Sequence, residues 1–178
     1  NDNIGIDLIG FEETSPDPAY DQARNGVVIS NTIYNIDTLD NPSYEGERSA
    51  GGIYVDGGTN ILIERNRVYS SNIGIEIASE HPGKATSYVT VRNNFLYSNH
   101  MSGIAMGGYD TERGSTENCT IVNNTLYNND ALEDGNGEIL LQFDTQNNVI
   151  KNNILYANSQ SLLIGNPFTQ SVGNVVDY

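Results

Sequence analysis

Three short apolar phrases recur along the chain in a fixed order, and polar residues separate them. The first is a β-branched stretch such as Val27-Val-Ile29, and Asn-x-x-Tyr follows it directly. After a turn comes a glycine with an alternating stretch, as in Gly52-Ile-Tyr-Val-Asp56. This alternation and the wealth of β-branched residues predict short strands, and no segment has helical periodicity.

The Asn-x-x-Tyr phrase occurs five times and measures the repeat. Its tyrosines are separated by 35, 28, 30 and 29 residues. Self-similarity at a period of about 20 to 50 residues indicates a solenoid. The five copies are Asn31-Thr-Ile-Tyr34, Asn66-Arg-Val-Tyr69, Asn94-Phe-Leu-Tyr97, Asn124-Thr-Leu-Tyr127 and Asn153-Ile-Leu-Tyr156.

Strands this short cannot form hairpins and keep one register through five repeats, but they can wind as a coil. Each strand then pairs in parallel with its equivalent one turn later, at a spacing of about 4.8 Å. The sequence therefore predicts an all-β, right-handed parallel β-helix of five to six turns with three short strands per turn, since crossovers between parallel strands are right-handed. We expect one domain over residues 1–178. The predicted inward columns are Ile53, Ile75, Ile104 and Ile139, and Val55, Ile77, Met106 and Leu141.

The asparagines of the phrase are interpreted as structural. Each would lie where the chain bends between two strands, because asparagine tolerates the left-handed conformation and its amide can bond to the asparagines above and below. The tyrosines are interpreted as a stacked column rather than a sugar platform. The single cysteine, Cys119, is expected to pack as a buried thiol, and His100 is expected on the surface of a turn.

Charge and composition exclude several classes of partner. The net charge is −15, from 23 acidic and 8 basic residues, which argues against nucleic acid and anionic membranes. No apolar run approaches the roughly 20 residues of a membrane span. The chain opens on the strand-like Ile4-Gly-Ile-Asp-Leu-Ile9, so we expect it to be a segment of a longer β-helix protein.

The phrases Ile-x-x-Asn-x-x-Tyr and Gly-Ile-x-Ile cover about residues 25–165. They resemble the right-handed parallel β-helix repeat of the pectate-lyase-like superfamily. That resemblance implies a secreted or cell-surface protein with a polysaccharide partner, and no organic cofactor is expected. The superfamily contains lyases, glycosidases, epimerases and non-catalytic proteins, so the fold alone does not select an activity. An uncapped end of the coil would also allow association with another chain.

Long loops flank the Gly-Ile strands on both sides and predict a groove over that sheet. Its floor would consist of outward residues that alternate with the buried ones, beginning at Gly52. The middle rungs would be almost bare, with small residues at Gly74, Ala78, Gly103, Ala105 and Gly107. An extended sugar chain could lie on such a shallow surface. The expected substrate-binding residues are Tyr54, Asp56, Glu76 and Glu138.

Acidic side chains follow the Gly-Ile strands on successive rungs. Carboxylates about 5 Å apart repel each other by about 3 kcal/mol at an effective dielectric near 20, which favours a bound cation. Ca²⁺ suits such a cluster because it takes six to eight oxygen ligands from flexible loops. The alternative is a solvated acidic edge without metal. The predicted Ca²⁺ ligands are Asp56, Glu80, Asp110 and Asp144.

The same corner supports two kinds of catalysis. A polysaccharide lyase needs a base and a cation beside the uronate carboxylate, and a glycosidase needs two carboxyl groups at a defined separation. The candidate catalytic residues are Glu80, His81, Lys84, Asp110 and Arg113. The leading hypothesis is therefore an extracellular polysaccharide lyase or glycoside hydrolase. The alternative is a non-catalytic β-helix segment that binds glycan or acts as a structural or adhesin module.

Overall fold

The structure is a computed structural model that describes residues 3–177, and it is a parallel β-helix. Every pairing between named strands is parallel, and each strand pairs with its equivalent one turn away. Two single-turn 3₁₀ helices, Pro18–Tyr20 and Pro42–Tyr44, interrupt the coil. No helix in this part of the chain is long and apolar enough to cross a membrane. The predicted fold is thus confirmed.

Three sheets correspond to the three phrases of the repeat. The Gly-Ile sheet consists of β1 Ile6–Ile9, β4 Gly51–Asp56, β7 Ile73–Ala78, β11 Ser102–Met106, β15 Ile139–Leu141 and β19 Ile164–Gly165. The Val sheet consists of β2 Val27–Ile29, β5 Leu62–Glu64, β9 Thr90–Arg92, β13 Thr120–Val122, β17 Val149–Lys151 and β20 Val175–Asp177. The Tyr sheet consists of β3 Thr32–Tyr34, β6 Arg67–Tyr69, β10 Phe95–Tyr97, β14 Thr125–Tyr127 and β18 Ile154–Tyr156.

A fourth, small sheet was not expected. It lies between the Gly-Ile and Val sheets and adds a strand to three of the turns. Its residues are mostly Ser and Thr, so they carried no apolar alternation by which the sequence could predict a strand. The strands are β8 Ala85–Ser87, β12 Ser115–Glu117 and β16 Thr145–Gln146.

The core is a narrow stack of aliphatic columns inside the coil. Ile53, Ile75, Ile104 and Ile139 align in register across the Gly-Ile sheet, and all four are fully buried. Val55, Ile77, Met106 and Leu141 form the second column of that sheet. Both predicted inward columns are confirmed.

The glycines of the Gly-Ile phrase face the interior, so the expectation that they form an outward floor is wrong. A Cβ on Gly52 would lie 2.4 Å from Cγ1 of the core residue Val68, and one on Gly103 would lie 2.7 Å from Cδ2 of Leu126. Glycine is needed because two consecutive positions, the glycine and the following isoleucine, both approach the core. A simple alternation does not anticipate this local irregularity.

The asparagine column forms a continuous hydrogen-bonded ladder, as predicted. Oδ1 of Asn94 accepts from the backbone N–H and from Nδ2 of Asn66, at 2.9 and 3.0 Å. Asn94 in turn donates through the same two groups to Oδ1 of Asn124. The left-handed conformation belongs to the preceding residue, as in Arg65 and Asn93 with φ of 55° and 56°. Our placement of that conformation on the ladder asparagine itself was therefore wrong.

Two further ladders stabilise the other corners. Asn99 donates to Oδ1 of Asn129 at 2.8 Å at the corner before the Gly-Ile sheet. At the corner before the Val sheet, Asn148 accepts from the N–H of Cys119 at 2.8 Å. The thiol of Cys119 is buried, as predicted, and burial raises its pKa to about 12.

The tyrosines stack on the outer face of the Tyr sheet in two groups. The ring centroids of Tyr34, Tyr69 and Tyr97 are 5.2 and 4.8 Å apart, and those of Tyr127 and Tyr156 are 5.1 Å apart. The stacked column is thus confirmed, although no stacked pair joins Tyr97 to Tyr127 within the described residues. Because the rings cover each other's faces, mainly edges and hydroxyl groups are left for solvent.

Candidate functional site

A pocket of about 330 Å³ opens on the outer face of the Gly-Ile sheet. Strands β4 and β7 supply its polar wall, because Tyr54 and Glu76 lie side by side in register and both point away from the core. Loops supply the remainder of the lining, including Tyr44, Glu80 and Tyr109. We call this cavity the Glu76 pocket.

The middle rungs of the sheet are covered rather than open. Ala105 is fully buried and Leu140 nearly so, and both pack with Ile73 and Met101 in a small apolar cluster outside the main core. The shallow, bare groove expected from the sequence is therefore wrong. The loops close over the strands and leave a pocket instead.

Glu76 is a deeply buried acidic residue of the pocket. Its side chain is 7 % exposed, and its carboxyl group makes no hydrogen bond to any other residue that the structure describes. Burial, together with the nearby charges of Glu80, Asp56 and Asp7, raises the pKa of Glu76 to about 8. Glu76 therefore holds its proton at neutral pH, which is how an enzyme prepares a carboxylic acid to donate one.

Tyr54 connects the wall of the pocket to Glu80. Its hydroxyl donates to Oε1 of Glu80 at 3.0 Å, and burial and the surrounding carboxyl groups keep the pKa of Tyr54 well above its usual value. The backbone N–H of Glu80 donates to Oδ1 of Asp56 at 2.8 Å. Glu80 is thereby held at both its side chain and its main chain.

Asp56 belongs to a second group of side chains beside the pocket. Burial raises the pKa of Asp56 to about 6, and the charge of Glu80 adds to the effect. Nε2 of His81 lies 3.8 Å from Oδ2 of Asp56 and 3.3 Å from Oε1 of Glu12. We call Glu12, Asp56 and His81 the histidine cluster, since their potential ligand atoms all lie within 4.8 Å of one another.

Three of the predicted catalytic residues lie at the rim and do not line the Glu76 pocket. Nζ of Lys84 lies over the ring of Phe11 at 5.2 Å. The guanidinium of Arg113 stacks on Tyr109 at 4.5 Å and pairs with Asp110 at 3.5 Å. The structure therefore brings Glu80 into the pocket and His81 beside it, but leaves Lys84, Asp110 and Arg113 outside.

The predicted set of Ca²⁺ ligands does not form one group. Asp56 and Glu80 are neighbours, whereas Asp110 pairs with Arg113 and Asp144 accepts from the side chain of Gln146 at 2.6 Å. Carboxyl groups on successive turns were expected to align, but the loops between them differ in length and separate them. Within residues 3–177, the histidine cluster is the group with the spacing of metal ligands.

Glu138 does not point into a groove, and its assignment as a substrate-binding residue is wrong. It is fully buried at the corner of the coil, where its carboxyl oxygens accept from the backbone N–H and Nδ2 of Asn129. Glu138 thus ends the ladder that runs through Asn99 and Asn129. Burial raises the pKa of Glu138, and the two donors of Asn129 oppose the rise.

His100 is also more enclosed than expected. Its Nδ1 lies 3.1 Å from Nδ2 of Asn72 and 3.5 Å from Oδ2 of Asp37. Its ring therefore contacts the loop before β4, and burial lowers its pKa. His100 therefore lies at a bend, as expected, with a side chain that is only partly exposed.

Sequence reasoning missed Asp7, Glu12 and Tyr109. Asp7 pairs in register with Tyr54 on the adjacent rung, so Tyr54 lies between Asp7 and Glu76. Although its side chain is exposed, partial desolvation and the charges of Glu80 and Glu12 raise the pKa of Asp7 to about 6. Its outward position in Ile6-Asp-Leu-Ile9 was a usable signal. Nothing in the sequence pointed to Glu12, because its loop has no counterpart in later turns.

These features match known proteins at the level of fold. A family described as the right-handed β-helix region matches residues 20–177. The chain belongs to this right-handed β-helix family.

One curated relative extends the likeness over the whole chain. It is the uncharacterised protein YwoF of Bacillus subtilis, which is 50% identical over 178 residues. The alignment covers 100% of this chain and 38% of that protein, so the chain spans well under half the length of its relative. No solved structure matches the chain.

Proposed function

We propose that this β-helix is a secreted or cell-surface carbohydrate-active protein, and that the Glu76 pocket hydrolyses a glycosidic bond. One observation carries the proposal: the deeply buried Glu76, whose pKa burial raises to about 8, shares a concave pocket with Glu80, to which Tyr54 donates a hydrogen bond. A buried acid and a second, oriented carboxyl group are the two groups that glycoside hydrolysis requires.

Each residue then has a chemical task. Glu76 donates its proton to the glycosidic oxygen as the bond to the anomeric carbon breaks. Glu80 supplies the second carboxyl group, either by accepting a proton from the attacking water or by attacking the anomeric carbon. The pocket volume lies near the lower limit of small-molecule sites, which suits a short segment of a sugar chain.

The charges around the pocket favour hydrolysis over elimination. A lyase must neutralise a uronate carboxylate, yet Lys84 lies against Phe11, and Arg113 packs behind the lining residues Tyr109 and Glu80 without lining the pocket itself. Carboxyl groups in the lining would repel a uronate. A neutral or amine-bearing glycan is therefore the better substrate class, and Ca²⁺ is not needed for its hydrolysis.

The test is the release of reducing ends from a panel of neutral, amine-bearing and uronate glycans. We expect Glu76→Gln and Glu80→Gln each to lower turnover about 100-fold or more. Glu112→Gln, which makes the same change on an exposed residue that does not line the pocket, serves as the control and should retain full activity. Full activity in both pocket variants would overturn the assignment. Formation of unsaturated uronate products instead of reducing ends would replace hydrolysis by lyase chemistry.

A second candidate function is a non-catalytic module that binds glycan or has a structural role. The observation in its favour is that Glu80, His81, Asp110 and Arg113, which were expected to act together, do not converge on one pocket. Saturable glycan binding to the unaltered protein without any cleavage would select this alternative.

A further inference from the structure

The histidine cluster offers a different chemistry from that of the pocket. It combines one imidazole nitrogen with two carboxylate oxygens, from His81, Glu12 and Asp56. Mixed nitrogen and oxygen ligands suit Zn²⁺ and related transition ions, whereas Ca²⁺ prefers oxygen alone. We propose that Glu12, Asp56 and His81 bind a divalent transition-metal ion, Zn²⁺ in the first place, with a further position open to water.

One distance matches a tetrahedral ion, and a second approaches it. Zinc bonds to nitrogen and oxygen of about 2.0–2.1 Å place neighbouring ligand atoms about 3.3–3.4 Å apart. Nε2 of His81 and Oε1 of Glu12 are 3.3 Å apart, which matches that edge. The 3.8 Å between Nε2 and Oδ2 of Asp56 needs to shorten by only about 0.4–0.5 Å, and Glu12 is on a half-exposed loop that can follow.

Two atoms of the cluster lack the partners that a simple ion pair would supply. Nε2 of His81 is buried and makes no hydrogen bond to any residue from 3 to 177, although two carboxylates lie within 4 Å of it. Asp56 is 4 % exposed, and among the same residues only its Oδ1 accepts a hydrogen bond, from the N–H of Glu80. Oδ2 of a side chain that is more than nine-tenths buried is thus left facing the imidazole, and an ion between them would satisfy both atoms.

The surroundings favour a cation and fix the ring. The ring of Phe11 packs edge-on against His81 at 6.1 Å, and the N–H of His81 donates to Oγ of Ser79 at 3.4 Å. Asp7 and Glu80 add negative charge close to Asp56. Of the nearby positive charges, Lys84 is directed at the ring of Phe11, and Arg113 donates to the backbone carbonyl of Glu80 and pairs with Asp110.

The ion would also give the first three turns of the coil an additional connection. Glu12 follows β1, whereas Asp56 and His81 follow or end strands of the next two turns. A metal at this point would connect three turns of the coil outside the hydrogen-bonded sheets. This role does not depend on any activity of the Glu76 pocket.

The experiment is a calorimetric titration of the tag-free, chelator-treated protein with ZnCl₂, with CoCl₂ and CaCl₂ as separate arms. We expect one Zn²⁺ per chain, and visible d–d absorption when Co²⁺ occupies the site. Asp56→Asn and His81→Gln should each weaken binding about tenfold or more. The matched control is His100→Gln, because His100 also lies beside a carboxylate, 3.5 Å from Asp37, but lacks a second one.

The proposal is overturned by binding that does not saturate at one ion per chain, or by His81→Gln binding Zn²⁺ as tightly as the unaltered protein. Tighter binding of Ca²⁺ that is indifferent to His81 would equally overturn it. Glu12→Gln shows whether weaker binding results from the loss of a ligand or from misfolding. Because Glu12 is half exposed, we expect its replacement to leave the coil folded. The variant should also weaken Zn²⁺ binding about tenfold, with an unchanged melting temperature in chelator.

Discussion

Two regions of the coil differ in how their buried polar side chains are hydrogen-bonded. At the corner between the Val and Tyr sheets, every amide of the ladder from Asn66 to Asn124 is paired, each with a neighbouring asparagine and with a backbone carbonyl. On the outer face of the Gly-Ile sheet, Asp56 and Glu76 are similarly buried. The charges nearest to Glu76 are other acids, and Asp56 accepts one backbone hydrogen bond and has His81 beside its second oxygen. The polar side chains of the two regions are similarly buried, but they differ in how many of their polar atoms are hydrogen-bonded.

This difference in hydrogen bonding distinguishes side chains that stabilise the fold from side chains that are candidates for a function. A buried amide with all its partners stabilises one register of the strands, because any slip would leave donors and acceptors unpaired. A buried carboxyl without partners destabilises the fold in its charged form and persists only where something else requires it. We therefore expect that mutating the ladder asparagines lowers the free energy of unfolding, whereas replacing the buried carboxyl groups raises it.

The largest effect should come from Asn94→Ala. It removes the acceptor of two donors of Asn66 and the donor to the carbonyl of Ile63, all in a corner closed to water. Since each buried group left unsatisfied costs about 1–3 kcal/mol, we expect a loss of about 4 kcal/mol in the free energy of unfolding. Urea denaturation followed by circular dichroism measures it.

The neighbouring residue provides the control for this ladder variant. Asn93 is exposed and has φ of 56°, so Asn93→Gly keeps a residue that tolerates this conformation and should change stability by less than about 1 kcal/mol. Equal losses in the two variants would mean that the corner conformation, and not the ladder, stabilises this side of the coil.

The first corner was predictable from sequence because its residues repeat. Asn31, Asn66 and Asn94 recur with the same neighbours, so the parallel coil and the ladder follow from spacing alone. Only the left-handed residue was misplaced, by one position, because Asn93 and Asn94 are chemically alike. Because the same residues recur in each repeat, the interpretation of one repeat is supported by the others.

The candidate site was only partly predictable because it lies where the repeat fails. Strand alternation predicts the outward positions of Tyr54, Asp56 and Glu76, and the acidic loop that follows β7 predicts Glu80. Glu138 was misassigned, because it takes the place of an asparagine in a ladder and so turns inward. The loop that carries Glu12 occurs once, and its approach to His81 depends on tertiary packing that no spacing encodes.

An intermediate effect of opposite sign should come from Glu76→Gln. The unfolded chain releases the proton of Glu76 near pH 4.5, whereas the folded chain keeps it up to about pH 8. The contribution of Glu76 to the free energy of unfolding is therefore full below pH 4.5. It decreases as the pH rises from 4.5 to about 8, and it is lost above that pH. Glutamine cannot ionise, so we expect the variant to be more stable than the unaltered protein at pH 7, by about 3 kcal/mol, and nearly equal at pH 4.

Melting temperatures measured from pH 4 to pH 9 provide the test. Glu112→Gln should follow the unaltered protein throughout, because Glu112 is exposed. A Glu76→Gln variant that is less stable at pH 8 would show that the carboxyl group is a structural partner. Stabilisation together with the expected loss of turnover would identify a group retained for chemistry at the expense of stability.

The smallest effect should come from Tyr69→Ala, on the outer face of the Tyr sheet. Tyr69 stacks between Tyr34 and Tyr97, and the guanidinium of Arg67 lies 5.3 Å from its ring centroid. An aromatic pair contributes about 0.5–1.5 kcal/mol, and solvent beside these rings reduces that contribution, so we expect a loss of about 1 kcal/mol. Tyr156→Ala, at the exposed end of the second stack, should cost less, and the two variants are compared by urea denaturation. If Tyr69→Ala were as damaging as Asn94→Ala, the tyrosines and not the asparagines would set the register. A loss confined to about 1 kcal/mol would leave the paired amides as the feature that holds this side of the coil together.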